Sequence, residues 1–256
     1  MPAGLDGRVA VVTGSSRGLG EAIARRLAAA GAALVISGRN EAEGQRVVAA
    51  IQDNGGRAIW QRAEVGSAPD CEALVAAALE QFGRLDILVN NAAALGYSPI
   101  AEMTAELWDE VFATNVRGAF LLTRRAFEQM RRQGHGGNVI NIGTTHTRCP
   151  GIDRLSYGCS KAALLAMTKA FARDGARDQI RVNWITVGWV ATPRELEYQT
   201  ERHGDGAKFL AERAAHLAMG RLETPEEIAA GVAFLVSDEA AHITACELNL
   251  SGGNLI

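Results

Sequence analysis

Tyr157 and Lys161 lie four positions apart in the stretch SYGCSK, residues 156–161. If the stretch is helical, this spacing places both side chains on one face, one turn apart. An ammonium near a phenol lowers the phenol pKa from about 10, because the positive charge favours the phenolate. The pair therefore predicts a group that gives and takes protons near neutral pH, although the same spacing also occurs on ordinary helix surfaces.

The composition is that of one globular domain. The chain has 256 residues, of which 48% are hydrophobic and 21% charged, with a formal net charge of -3. This length is sufficient for one sizeable core. The nearly balanced charge gives no reason to expect a nucleic acid or a membrane surface as a partner, and we predict neither.

The cysteines and histidines show no metal-ligand spacing, so no metal site is predicted. They are dispersed as Cys71, Cys149, Cys159, Cys246, His135, His146, His203, His216 and His242. The first residues show no secretory signal, and no apolar run approaches the roughly 20 residues that span a bilayer. We therefore expect a cytoplasmic protein with reduced thiols.

Short β-branched runs alternate with Ala-rich amphipathic segments along the whole chain. The runs predicted as buried strands are 8–13, 33–37, 57–61, 86–91, 138–142, 180–185 and 246–250. In the intervening stretch 70–83, apolar residues recur at helical spacing. This alternation predicts an α/β fold, a single-domain (residues 1–256), Rossmann-like, doubly wound parallel sheet of about seven strands flanked by helices.

Two long connections, 143–156 and 188–220, each follow a predicted strand. Ligands of open α/β sheets bind outside the carboxyl ends of the strands, so we expect both connections to border the substrate, although either could be surface decoration. Residues in these and a neighbouring segment that are candidates for the pocket are Tyr97, His146, Arg148, Trp189, Arg194 and Tyr198. The arginines among them would suit an anionic substrate and the aromatic residues a ring, unless they face solvent or another subunit.

The first predicted strand runs into TGSSRGLG, in which Gly14, Gly18 and Gly20 open an Ala-rich helix. A glycine turn at this place lets the backbone approach a pyrophosphate at the positive N-terminus of the helix. The spacing G-x-x-x-G-x-G differs from the general G-x-G-x-x-G fingerprint, and its position after the first strand is what indicates a dinucleotide site.

The end of the second strand bears on the choice of cofactor. An NAD site usually has an acid there, which accepts hydrogen bonds from the adenine ribose. This chain has Gly38 at that position, followed by Arg39, and Arg17 lies within the glycine turn. Two guanidinium groups would pair well with a 2′-phosphate, so NADP(H) is predicted over NAD(H), which stays possible.

With these features assembled, the chain resembles the short-chain dehydrogenase/reductase family along essentially its whole length. NNAA at 90–93 is similar to the family's Asn-Asn-Ala-Gly segment, and VGWVAT at 187–192 to its Pro-Gly-x-x-x-Thr segment. Asn115 matches the family's helix asparagine. The stretches 220–229 and 234–240 resemble its C-terminal helical region.

The resemblance implies a role for each candidate residue. Tyr157 would be the general acid and base, and Lys161 would lower the pKa of Tyr157 and hold the nicotinamide ribose. Asn115 would hold a water in a proton relay, and Thr144 stands where the family has its catalytic serine. The expected cofactor residues are Gly14, Ser16, Arg17, Gly18, Leu19, Gly20, Arg39, Glu64, Val65, Asn91, Ala92, Tyr157, Lys161, Gly188, Val190 and Thr192.

The chain also departs from the family's pattern. Besides Thr144, these departures are Ala93 and Val187 in the two segments above, Ala245 in place of a usual Thr-Gly pair, and Ser251 in place of an aspartate. Threonine keeps a hydroxyl that can donate to a carbonyl, but its methyl group restricts the rotamers and crowds the pocket.

The function implied is an oxidoreductase that interconverts a carbonyl and a secondary alcohol by hydride transfer, in a direction that the sequence does not fix. Two alternatives stay open: a weakly catalytic or non-catalytic NADP-binding protein, and a lyase or isomerase that returns the hydride to its product. The resemblance also implies a homo-oligomer, a tetramer formed through the helices at 104–133 and 156–175 and through the C-terminal tail.

Overall fold

A computed structural model describes residues 4–148 and 151–254 of the chain. The strands are β1 Val9–Val12, β2 Ala33–Gly38, β3 Arg57–Arg62, β4 Ile87–Asn90, β5 Gly137–Ile142, β6 Ile180–Val187 and β7 Glu247–Leu250. The α-helices are α1 Gly18–Ala29, α2 Glu41–Gln52, α3 Ala68–Phe82, α4 Ala105–Phe112, α5 Ala119–Gln133, α6 Leu155–Gly175, α7 Pro193–His203, α8 Gly206–Ala214 and α9 Pro225–Val236.

The strands form one parallel sheet in the order β3-β2-β1-β4-β5-β6-β7. β1 pairs with β2 on one side and with β4 on the other, so the strand order reverses beside β1. At such a switch point the loops diverge and leave a crevice at the carboxyl edge. The single-domain Rossmann-like fold expected from the sequence is confirmed, and each predicted strand overlaps an observed one.

Strand periodicity explains why helices cover both faces of the sheet. In β1, Val9 and Val11 pack into one apolar cluster, and Ala10 and Val12 pack into the cluster on the opposite face. Successive side chains of a strand point to opposite faces, so a strand that is apolar at every position must be buried on both sides. The continuous apolar runs in the sequence therefore correspond to central strands.

Six helices of the described chain begin at a side chain that accepts a hydrogen bond from the backbone N–H three residues later. These capping residues are Asn40, Ser67, Thr104, Thr192, Asp205 and Thr224. Such caps satisfy one of the N–H groups that a helix N-terminus leaves unpaired. Helix α1 lacks this device, because Arg17 precedes it and makes no side-chain capping bond.

The two long connections are more ordered than their sequences indicate. The connection 188–220 contains both α7 and α8, which pack against each other. The connection 143–156 contains a 3-10 turn at Thr145–Thr147, and its last two residues already belong to α6. Within the described residues, no helix is both long enough and apolar enough to cross a bilayer.

Candidate active site

Tyr157 lies in the first turns of α6, and Thr144 lies just after β5 at the carboxyl edge of the sheet. The two side chains are joined by a hydrogen bond, and both are buried. The Thr144 hydroxyl also accepts a hydrogen bond of 3.3 Å from the backbone N–H of His146. The 3-10 turn thus fixes the threonine hydroxyl against the tyrosine.

Lys161 is almost completely buried, one turn further along α6 than Tyr157. Its Nζ donates a hydrogen bond of 2.8 Å to the carbonyl oxygen of Ile142, the last residue of β5. The same Nζ lies 5.9 Å from the centre of the Tyr157 ring. The helical face predicted for the pair is therefore present, and it faces the end of β5.

The pKa values differ from the expectation that Lys161 lowers that of Tyr157. Burial raises the pKa of Tyr157, and the hydrogen bond with Thr144 and the charge of Arg154 oppose this increase. Burial also lowers the pKa of Lys161, to about 8. Desolvation disfavours the charged form of each group, which explains both directions. Arg154, which sequence reasoning missed, is thus the cation that acts on the tyrosine.

Asn115 lies in a π-helical turn, Ala113–Gly118, between α4 and α5. Its side chain exchanges two hydrogen bonds with the backbone of Ala94, at 2.8 and 2.9 Å. It also donates to Ser160 Oγ at 2.9 Å, and Ser160 in turn donates to the carbonyl oxygen of Tyr157. Single π turns in α-helices are frequent at functional sites, and this one connects the loop after β4 to the helix that carries the tyrosine.

The glycine turn forms a cradle whose close packing leaves no room for side chains larger than glycine. A Cβ on Gly20 would lie 2.2 Å from the carbonyl oxygen of Gly14, and Gly14 and Gly18 both have positive φ angles, 63° and 59°. The turn leads into α1, the helix without a side-chain cap, and Leu19 lies in its first turn. Close backbone approach and free N–H groups at a helix N-terminus are what a pyrophosphate requires.

The segment after β4 supports this cradle. Asn91 donates from Nδ2 to the carbonyl oxygens of Thr13 and Gly14, at 2.9 and 3.1 Å. The backbone N–H groups of Asn91 and Ala92 both donate to the Thr13 hydroxyl at 3.0 Å. These bonds hold the glycine turn against the central strand, and they place Asn91 and Ala92 directly beside it.

At the adenosine end, the end of β2 touches the glycine turn. A Cβ on Gly38 would lie 3.0 Å from Ser16 Oγ. Arg17 and Arg39 are both exposed beside this contact. Glu43, which sequence reasoning missed, accepts a hydrogen bond of 3.3 Å from Ser16 and lies 3.8 Å from Arg17. The site therefore contains an acid as well as the two arginines.

The loop after β3 contains two further candidates, Glu64 and Val65. The backbone N–H of Glu64 donates to Asp70 at 2.7 Å, while its side chain is exposed. Val65 is buried, and a Cβ on Gly118 would lie 2.3 Å from its carbonyl oxygen. This loop thus packs against the π turn that carries Asn115.

The segment after β6 meets the glycine turn from the other side. A Cβ on Gly18 would lie 3.8 Å from the Thr192 side chain. The buried carboxylate of Glu223 accepts a hydrogen bond of 2.8 Å from the N–H of Gly188, and Glu223 forms a β-bridge with Val190. Burial raises the pKa of Glu223, and these backbone bonds oppose the increase. Sequence reasoning missed Glu223, although it holds the segment that carries three candidate residues.

The candidates for the substrate pocket separate into two groups. Tyr97 and Tyr198 stack with ring centres 4.6 Å apart, and the His146 ring lies 6.0 Å from that of Tyr157. Arg148 instead pairs with Glu247 at 3.1 Å, and Arg194 pairs with Glu197 at 3.6 Å. The two arginines proposed from the sequence for an anion therefore each have an acidic partner on the protein.

The residues present fit a dinucleotide and give no indication of a metal. The glycine cradle and the uncapped α1 suit a pyrophosphate, and the neighbouring edge brings Thr144, Tyr157 and Lys161 together. Across residues 4–148 and 151–254, no group of three or more His, Cys, Asp or Glu side chains could hold a metal ion.

Comparisons with known proteins find relatives that match this chain along nearly its whole length. A family model described as enoyl-(acyl carrier protein) reductase matches residues 14–254. An uncharacterized oxidoreductase of Methylorubrum extorquens is 40% identical over 97% of this chain and 98% of its own. Glucose 1-dehydrogenase 2 of Bacillus subtilis is 36% identical over 97% of this chain and 95% of its own. The crystal structure of L-sorbose reductase from Gluconobacter frateurii, complexed with NADPH and L-sorbose, has a TM-score of 0.95 and 32% identity, covering 100% of this chain and 99% of that one.

Proposed function

The chain belongs to the short-chain dehydrogenase/reductase family, and from that premise we propose that it transfers a hydride between NADP(H) and a carbonyl or secondary alcohol, with Tyr157 as general acid and base. The family membership makes it an NAD(P)-dependent oxidoreductase acting on carbonyl or CH–OH groups. The observation that supports Tyr157 as general acid and base is its buried hydroxyl, which is hydrogen-bonded to Thr144 and close to Lys161.

The bound nicotinamide supplies the hydride chemistry, and the chain's own residues manage the proton. In the reductive direction, Tyr157 donates its proton to the oxygen on which negative charge grows. The Thr144 hydroxyl donates a hydrogen bond to the same oxygen, which stabilises charge that is larger in the transition state than in the substrate. Oxidation of an alcohol follows the same path in reverse.

Lys161 and Asn115 do not donate the proton in this proposal, but both support the proton transfer by Tyr157. The Lys161 ammonium would hold the nicotinamide ribose, as the family resemblance implies, and its charge would favour the phenolate once the proton has left. Asn115 fixes α6 through Ser160, and it would hold the water through which Tyr157 regains its proton. Both roles belong to the proposal.

We propose NADP(H) as the preferred cofactor. Arg17 and Arg39 offer two guanidinium groups to a 2′-phosphate, and L-sorbose reductase, a structural relative, was crystallised with NADPH. Glu43 works against this preference, because a carboxylate would repel the phosphate and could accept hydrogen bonds from an unphosphorylated ribose. Glu43 therefore favours the alternative function, an NAD-preferring dehydrogenase.

Two measurements test the proposal together. The purified protein is titrated with NADPH and with NADH by calorimetry, and a panel of diketones and quinones is then assayed for NADPH oxidation. We expect tighter binding of NADPH, turnover of some carbonyls, and loss of turnover in Tyr157→Phe with cofactor binding retained.

Other outcomes of these measurements would support the alternative functions. Substantial turnover by Tyr157→Phe would remove the tyrosine from the mechanism. NADPH binding without turnover of any carbonyl would support a non-catalytic binding protein. A change in substrate without net NADPH oxidation would indicate a lyase or isomerase reaction.

Assembly and location stay predictions. The resemblance implies a homo-oligomer, a tetramer, which sedimentation velocity of the full chain would test. A cytoplasmic location likewise stays a prediction of the sequence, as does the involvement of 143–156 and 188–220 in substrate binding.

A further inference from the structure

A cavity lies between the start of α6 and the helix pair α7–α8. It has a volume of about 320 Å³. The lining residues that matter here are Arg154, Arg202, Arg213, Trp189, Tyr198 and Phe209. We call this cavity the arginine pocket.

The charged side chains that line the arginine pocket in the described part of the chain are all arginines. Two acids that contact its lining residues are already engaged. Asp153 lies 3.8 Å from Arg202, and Glu195 Oε1 accepts hydrogen bonds from Trp189 Nε1 at 2.7 Å and from Gln199 Nε2 at 2.8 Å. Among residues 4–148 and 151–254, no carboxylate lies within 4.0 Å of Arg154 or Arg213.

Each of the three guanidinium groups lies over an aromatic ring. Arg154 lies over the Tyr97 ring, 4.2 Å from its centre, and that ring stacks on Tyr198. Arg202 lies over Tyr198 at 5.5 Å, and Arg213 lies over Phe209 at 5.3 Å. A guanidinium that stacks on a ring keeps its planar N–H fork fixed, which is the arrangement that binds a carboxylate with two parallel hydrogen bonds.

Arg154 connects the arginine pocket to the proposed chemistry. It immediately precedes α6, three residues before Tyr157, and it also lies close enough to Tyr157 to lower the pKa of that phenol by its charge. Trp189, on another wall, belongs to the segment that Glu223 holds beside the glycine turn. Arg154 thus lies between the pocket and the turn of α6 that carries Tyr157.

We propose that the arginine pocket binds a carboxylate of the substrate, with Arg154 as the central contact, so that the substrates are oxo acids or hydroxy acids. This inference rests on the proposed function. The aromatic walls formed by Trp189, Tyr198 and Phe209 would pack against the apolar part of such a molecule, because ligand pockets of this size are largely apolar with a few placed polar groups.

The test compares each oxo acid with its carboxamide, which keeps the shape and removes the charge. We expect kcat/KM of the wild-type protein to be about tenfold or more higher for the acid, and Arg154→Gln to bring this acid-to-carboxamide ratio down to about one, whatever its effect on the turnover of both compounds. Arg154→Lys, which keeps the charge without the fork, should restore part of the preference. The matched control is Arg173→Gln, an exposed arginine at the other end of the same helix.

A binding measurement tests the carboxylate contact independently of turnover. The NADPH-loaded protein is titrated with benzoate and with benzamide by calorimetry. Tighter binding of benzoate that is lost in Arg154→Gln supports the inference. Equal binding of the two compounds, or no binding of either, overturns it.

Failure of this inference differs from failure of the proposed function. Reduction of neutral diketones without any preference for acids would overturn the carboxylate pocket and leave the oxidoreductase standing. Absence of NADPH binding and of all carbonyl turnover would overturn the proposed function itself.

Discussion

The Nζ of Lys161 is hydrogen-bonded at 2.8 Å to the main-chain carbonyl of Ile142 rather than to a carboxylate. A buried ammonium with only a neutral partner is poorly stabilised, and burial accordingly lowers the pKa of Lys161 to about 8. Catalytic groups commonly have perturbed pKa values of this kind. The fold thus maintains a charge at an unfavourable position, and this has a measurable consequence for stability.

The stability of the wild-type protein should rise with pH relative to Lys161→Met. The pKa of Lys161 is about 8 in the folded chain and about 10.5 when unfolded, so between these values the unfolded state binds more protons and alkaline pH favours folding. Between pH 7 and pH 9.5, the free energy of unfolding of the wild type minus that of the variant should increase by about 2 kcal/mol.

Urea unfolding of both proteins at the two pH values measures this difference. The matched control is Lys208→Met, an exposed lysine in α8, for which the difference from wild type should stay constant. A constant difference for Lys161→Met as well would mean that the buried lysine is not destabilised in the folded chain.

Removal of the Thr144 hydroxyl should slow catalysis far more than removal of its methyl group. Thr144→Val keeps the shape and loses the donor, and we expect kcat/KM to fall by about 10²- to 10³-fold, as for the loss of one donor to a developing oxyanion. Thr144→Ser keeps the hydroxyl that bonds to Tyr157 and should stay within about threefold of wild type. Steady-state kinetics with one reducible carbonyl measures both. Equal activity of the two variants would exclude the hydroxyl from the reaction.

The charges at the adenosine end should control the choice of cofactor. Arg39→Ala should weaken NADPH binding by about tenfold and leave NADH binding nearly unchanged, because one charge-assisted contact with the 2′-phosphate is lost. Glu43→Gln should act in the opposite direction and tighten NADPH binding, since it removes the acid beside Ser16 and Arg17.

Calorimetric titrations of each variant with both nucleotides give these ratios. Arg57→Ala serves as the control, because Arg57 is exposed at the first residue of β3, at the amino edge of the sheet, and its removal changes the net charge by the same amount. A loss of NADPH affinity in Arg57→Ala equal to that in Arg39→Ala would show a general charge effect rather than a phosphate contact.

Replacement of Ala245 by glycine should stabilise the protein. Ala245 has a φ angle of 58°, in the left-handed region that costs a residue with a Cβ about 1 kcal/mol or more. The extra freedom of glycine in the unfolded chain cancels part of this, so we expect a net gain of about 0.5 kcal/mol in the free energy of unfolding.

Ala241→Gly is the matched control for this change. Ala241 is also exposed, but its φ angle of -54° is ordinary for an alanine, so glycine there should destabilise the protein. Chemical denaturation of both variants measures the two effects. Destabilisation by Ala245→Gly would show that the left-handed backbone is not strained in the intact protein.

The sequence predicted the fold well because the signals of the fold are local. The alternation of apolar residues in β1 and the glycines of the turn at Gly14, Gly18 and Gly20 depend on neighbours along the chain. The same locality made it possible to place Tyr157 and Lys161 on one face of α6. The helices α7 and α8 were not predicted, because their apolar positions are few and both lie largely exposed.

The sequence could not predict how the charged side chains pair. Arg148 was expected at the pocket, but its partner Glu247 is 99 positions away in the chain and becomes a neighbour only when the sheet forms. Arg154 and Glu223 were missed for the same reason, because burial and backbone partners from other elements distinguish them from ordinary surface charges. The direction of the Tyr157 pKa shift likewise depends on burial, which spacing alone does not give.

The β-bridge between Val190 and Glu223 brings the two ends of the stretch 191–222 together at one point beside the sheet. Backbone hydrogen bonds of 2.8 and 3.0 Å join the chain there, so the stretch 191–222 begins and ends at adjacent positions. A segment closed at its base can change in length at little entropic cost. Transplanting 191–222 from a relative would therefore exchange the proposed walls of the substrate pocket as one unit, together with Thr192, while Thr144, Tyr157 and the glycine turn keep their own residues.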